Sequence, residues 1–119
     1  MKIVRNTFLL FFCIVFSVSL FADEKKKKVT TIEFSVSGVC DMCEKRIENA
    51  ALIKGVKMAE WDKHEQKIKV VYRPDKTDEG TIHRAIAKVG HDTDKVKASA
   101  EAYNKLHECC KYREGHHIH

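Results

Sequence analysis

The stretch Ile32-Glu33-Phe34-Ser35-Val36-Ser37-Gly38-Val39-Cys40-Asp41-Met42-Cys43 decides how this chain folds. Ile32, Phe34 and Val36 point one way and Glu33, Ser35 and Ser37 the other, the two-residue period of a half-buried strand. Gly38 breaks that strand, and a short loop carrying Cys40 and Cys43 follows. Beyond it, residues 44–52 are rich in helix formers, with Ile47, Ala50 and Ala51 on one face. A strand, a cysteine loop and a helix therefore stand in immediate succession.

The pattern continues outward. Gly55 ends the helix, and Val56, Ala59 and Trp61 suggest a second strand. A polar turn over 62–66 leads to Ile68, Val70 and Tyr72, which alternate with Lys67, Lys69 and Val71 as a third strand closed by Pro74 and Asp75. Ile82, Ala85, Ile86 and Val89 recur at i, i+3, i+4 and i+7, which predicts an amphipathic helix capped by Thr77 or Asp78 and ended by Gly90. A short fourth strand over 95–98 completes the order βαββαβ. That order predicts an α+β, ferredoxin-like sandwich: a four-stranded antiparallel sheet with two helices on one face. After Ala98 the periodicity weakens. Residues 100–112 are expected to hold a short helix carrying Ala102, Tyr103 and Leu106, and 115–119 to be mobile.

Lys2 and Arg5, followed by a nearly uninterrupted apolar run over 8–21, have the layout of a secretory signal peptide. Cleavage is expected after Ala22, with Ser19 the second choice. The run is shorter than the ~20 residues of a membrane-spanning helix, so an uncleaved anchor is the less favoured reading. Cys13 lies inside the run and leaves with it. The expected organisation is a signal peptide over 1–22, a charged linker over 23–29, one domain over 30–98 and a Cys/His-rich extension over 99–119. Loss of Lys2 and Arg5 lowers the formal charge from +5 to +3. That balance is too mild, and its cations too scattered, to indicate nucleic acid. The chain is expected to be a monomer in the periplasm or another extracytoplasmic space.

Four cysteines remain in two pairs, and an exported protein meets oxidising conditions. A bridge from Cys40 to Cys43 closes too short a loop to constrain the unfolded chain, and adjacent Cys109 and Cys110 are poorly placed for one. A long-range link between the pairs stays geometrically open. Ligation is the stronger reading. Two thiols three residues apart, where a strand meets a helix, converge on one ion, and the positive end of the helix favours thiolate at Cys43 and Cys40. Two thiolates suit a soft ion, Cu(I) before Hg(II); Zn(II) prefers four ligands. Lys45 and Arg46 are placed to offset the negative charge of the complex.

The run from Ile32 to Cys43 and its following helix resembles the heavy-metal-associated domain, found in copper chaperones, periplasmic mercury-binding proteins and the amino-terminal modules of metal-exporting P-type ATPases. Lys54-Gly55-Val56 and Val89-Gly90-His91 match the family's turns before strands two and four, so the resemblance covers 29–98. One feature departs: the family usually places Gly-Met-Thr before its first cysteine, whereas here Gly38-Val39 runs straight into Cys40. Val39 is expected to take the place of the family's buried methionine. The resemblance implies a metal-transporting membrane protein or efflux system as partner. It also implies that His91 lies beside the metal loop and tunes it, against the alternative of an exposed loop histidine. His64 and His83 read as solvated surface residues.

His107, Cys109, Cys110, His116, His117 and His119 crowd the carboxy terminus, a composition that signals a second, weaker metal site or a segment that folds back to complete the first. A thiol-disulfide oxidoreductase is the rival function. The chain lacks a Trp-Cys-Gly-Pro-Cys pattern, and its one proline, Pro74, follows the third strand. No nucleophile–base pairing suggests hydrolysis, so a non-enzymatic carrier is expected.

Overall fold

A computed structural model of the chain describes residues 28–114; the expected signal peptide, most of the linker, and His116, His117 and His119 lie outside them. The elements run β1 (Thr30–Ser35), α1 (Asp41–Ala51), β2 (Val56–Asp62), β3 (Lys67–Tyr72), α2 (Glu79–Lys88) and α3 (Ala100–Asn104), then two 3-10 turns at Glu108–Cys110 and Tyr112–Glu114. β3 lies between β1 and β2, antiparallel to both.

The register explains which residues form the core. Phe34 lies opposite Ile68 and Ile32 opposite Val70, so the inward residues of β1 and β3 share a face. Trp61 and Ala59 stand across from the same two residues on the other side. Val56 has the opposite parity yet pairs with Tyr72, because the register slips between Val56 and Met58. That bulge adds one residue and returns Val56 to the inner face. Ile47 and Ala51 from α1, with Ile82 and Ile86 from α2, complete the cluster.

The fourth strand expected over 95–98 does not form. The chain after α2 meets the sheet edge through one bridge, Val36 with Thr93, supported by Ser37 N–H to the Asp92 carbonyl (2.9 Å) and Asp94 N–H to the Ser35 carbonyl (3.1 Å). Side chains then capture the backbone donors a strand would use. Thr93 Oγ1 accepts from Val96 N–H (2.9 Å), and the Asp92 carboxylate accepts from Ala98 N–H (2.7 Å). Short polar side chains offer the backbone an alternative to the ladder, and here they win.

His83 also departs from expectation. It is buried, stacked on Phe34 with ring centroids 3.8 Å apart, and its Nδ1 is hydrogen-bonded to Thr93 Oγ1 (2.6 Å). The segment that curls back over 92–98 covers this side of α2, so the buried face runs through Ile82, His83, Ile86 and Ala87. His64 is exposed, as read from the sequence.

The extension joins the core. Ser99 caps α3 by accepting from Ala102 N–H (3.1 Å). Tyr103, Leu106 and Cys110 belong to the same buried cluster as Phe34 and Trp61. Gly90, at φ 106°, makes room for this packing, since a Cβ there would stand 2.9 Å from the Ala102 carbonyl and 3.0 Å from the Leu106 side chain.

Candidate metal centre

The cysteine loop is braced by β2 and by the turn that follows it. Trp61 Nε1 donates to the Val36 carbonyl (3.0 Å), and its backbone N–H donates to Glu48 (2.8 Å). The ring lies so close under the loop that a Cβ at Gly38 would stand 2.9 Å from two of its carbons. Gly38 N–H donates to Gln66 Oε1 (3.0 Å), whose amide Nε2 donates to the Lys63 carbonyl (2.6 Å). Val39 is buried, so the shortened loop still plants an apolar residue in the core. Glycine here is required by a close approach.

α1 begins directly after Cys40, three residues earlier than the periodicity suggests, and Cys43 lies in its first turn. Cys40 Sγ stands 3.3 Å from Cys43 Sγ and 3.3 Å from Cys110 Sγ. All three sulfurs lie within 4.8 Å of one another, and all three thiols are free. Neither a Cys40–Cys43 staple nor a disulfide between the two pairs is present.

The three thiols are not equivalent. Burial opposes ionisation at Cys40, but hydrogen bonds from the Cys43 backbone N–H and from the Cys110 and Cys43 side chains outweigh it, holding the thiol below its ordinary value. At Cys43 burial prevails over the bonds it receives and raises the thiol, contrary to the expectation that the helix start would favour its thiolate. Burial, with Cys43 and Cys40 alongside, pushes Cys110 up to about 12. The first thiolate of the cluster is therefore Cys40, stabilised by two thiols that still carry protons.

The other candidates fall into place around this cluster. His91 is buried, not an exposed loop residue. Its Nδ1 donates to the Ser37 carbonyl (2.8 Å), its ring stacks on Tyr112, and burial lowers its pKa to about 4. The histidine is neutral and braces the loop, with Nε2 buried and without a hydrogen-bond partner. It is not among the side chains whose ligand atoms gather with the sulfurs. Arg46 lies within reach of the Cys110 sulfur, while Lys45 is exposed. Cys109 turns outward, 3.9 Å from the thioether of exposed Met42, and His107 is exposed. Among the described residues no separate carboxy-terminal site is assembled; Cys110 alone joins the first cluster.

Sequence reading gave Trp61, Gln66, Tyr112 and Arg113 no role at the site. Spacing offered one usable signal: Tyr103, Leu106 and Cys110 stand at i, i+3 and i+7, a buried stripe that continues past α3.

No protein-family model and no curated protein matches the chain. Solved structures do. The CopZ metallochaperone is 26% identical with a TM-score of 0.52, over 54% of this chain and 98% of that one. The N-terminal domain of a potential copper-translocating P-type ATPase from Bacillus subtilis, in the Cu(I)-loaded state, is 26% identical with a TM-score of 0.53, over 56% of this chain and 85% of that one. Oxidized MerP from Ralstonia metallidurans CH34, at 22% identity and a TM-score of 0.53 over 56% and 96% of the two chains, shares the fold. The resemblance to heavy-metal-associated domains is thus borne out. These domains fit nearly whole within little more than half of this chain.

Proposed function

We propose that this protein is an exported carrier or scavenger of a soft metal ion, held by the thiolates of Cys40 and Cys43 and passed to a metal-transporting membrane protein or efflux system. The observation that carries the reading is the approach of Cys40 and Cys43 sulfurs to 3.3 Å at the start of α1. Thiolate ligands select soft ions, and the Cu(I)-loaded state of one similar ATPase domain supports reading the ion as Cu(I) ahead of Hg(II) and Zn(II). Cys40 provides the first thiolate, and the incoming cation displaces the proton of Cys43. Transfer follows by ligand exchange, a thiolate of the recipient replacing one of the two. The basic start at Lys2 and Arg5 and the apolar run over 8–21 support export, and hence a place outside the cytoplasm.

The reading is tested in the full chain with Cys40 and Cys43 both replaced by Ser, titrated with Cu(I) against a chromophoric chelator. Tight binding should be lost while the circular dichroism spectrum is retained. A double variant that competes for Cu(I) as well as the unaltered chain refutes the assignment.

A further inference from the structure

We propose that the carboxy-terminal extension supplies a third metal ligand, Cys110, closing the Cys40–Cys43 pair into a three-sulfur site. This inference rests on the soft-metal reading and changes its coordination. Two features of the fold carry it.

The first is placement. Cys110 is fully buried although its neighbours Glu108 and Cys109 are exposed. The 3-10 turn at Glu108–Cys110, closed by Cys110 N–H to the His107 carbonyl (2.8 Å), turns this one sulfur inward. A metal–sulfur bond of ~2.3 Å sets three sulfurs of a trigonal complex ~4.0 Å apart. Two of the separations here are 3.3 Å and the third lies within 4.8 Å, so each pair is within about an ångström of that spacing.

The segment is also tied down on both sides of Cys110. Before it, Tyr103 and Leu106 are buried in the core. After it, the Tyr112 hydroxyl donates to the Gly90 carbonyl (2.7 Å) and accepts from Asp92 N–H (2.9 Å). Arg113 makes a two-pronged pair with Asp92 (2.6 and 3.2 Å), donates to the Ala98 carbonyl (2.9 Å), and lies 4.4 Å over the Tyr103 ring. Cys110 is thus delivered by an ordered strap, and the ordering entropy of a flexible ligand is met during folding.

The second feature is charge. Three thiolates around Cu(I) carry a net charge of −2, and around Hg(II) −1. Arg46 interacts with the Cys110 side chain, while its Nη1 is buried and has no hydrogen-bond partner. A buried guanidinium nitrogen without a partner is destabilising. An anionic three-sulfur complex gives it the counter-charge that the free thiols lack. Among the described residues the set holds three sulfurs and no fourth donor, which suits a trigonal soft ion.

The test is X-ray absorption of the reduced full chain loaded with one equivalent of Cu(I), alongside Cys110→Ser and Cys109→Ser. Three sulfurs are expected in the unaltered chain and in Cys109→Ser, and two in Cys110→Ser, with Cu(I) affinity falling about 10–100-fold in that variant, at least the loss seen for a supporting ligand partner. Copper bound by two sulfurs in the unaltered chain overturns the third ligand and leaves the carrier reading standing. The same holds if Cys110→Ser retains three sulfurs or Cys109→Ser drops to two. If Cys110→Ser fails to fold, the coordination number of the unaltered chain decides. Absence of Cu(I) binding in the unaltered chain overturns both readings.

Discussion

Removing one oxygen, through Tyr112→Phe, should loosen the strap that holds Cys110 while leaving the cysteine loop in place. The hydroxyl both donates to the Gly90 carbonyl and accepts from Asp92 N–H. Each neutral hydrogen bond contributes about 1 kcal/mol net, and a buried donor left without a partner adds to the loss, so about 2 kcal/mol is expected. Phenylalanine keeps the ring that stacks on His91 and meets Tyr103 edge-on. The defect is therefore confined to the latch. If the strap opens locally, 2 kcal/mol raises its open population about thirtyfold. Pulse alkylation of the reduced protein, read at Cys110 by peptide mass mapping, measures that population directly. Cys109 is exposed and serves as an internal standard for reagent reactivity. Cys110 labelling within twofold of the unaltered chain, with an unchanged urea midpoint, refutes the latch.

Two further perturbations bear on the loop. His91 is neutral in the fold and titrates at about 4, whereas the unfolded chain takes up that proton near 6.5. Its contribution is therefore complete above about pH 6.5 and is lost as pH falls towards 4, by about 3 kcal/mol; urea titrations of His91→Gln should show a flatter decline over that window, and an equal slope sinks the argument. Gly38→Ala drives a methyl to 2.9 Å from the Trp61 ring and 3.1 Å from Cys43 Cβ. Overpacking of this kind should destabilise by about 1–3 kcal/mol, and a urea midpoint matching the unaltered chain contradicts the brace.

What the sequence made legible was local. Ile32, Phe34 and Val36 alternate without interruption, and Ile82 and Ile86 recur at helical spacing, so β1 and α2 follow from period alone. The first failure came where a side chain competed with the backbone. Asp92 and Thr93 bind N–H groups two to six residues ahead, and no hydrophobic period records that. The same turn buries His83, whose polarity suggests a surface place until Phe34 and Thr93 are seen against it. The extension hid for a related reason. Its burial depends on pairs far apart in sequence, Asp92 with Arg113, Gly90 with Tyr112, Cys40 with Cys110, and no local period records such pairs. Joining Cys40 to Cys110 closes a separation of seventy residues, yet closure entropy grows only logarithmically with length. The folded domain has already brought Gly90 and Asp92 beside the loop, through Val36 with Thr93 and Ser37 with His91. From those anchors the strap spans about twenty residues, and Tyr103 and Leu106 order most of that path before Cys110 arrives. The sulfur that composition assigned to a Cys/His-rich extension is therefore, in the folded chain, as firmly placed as the two that motif spacing identified.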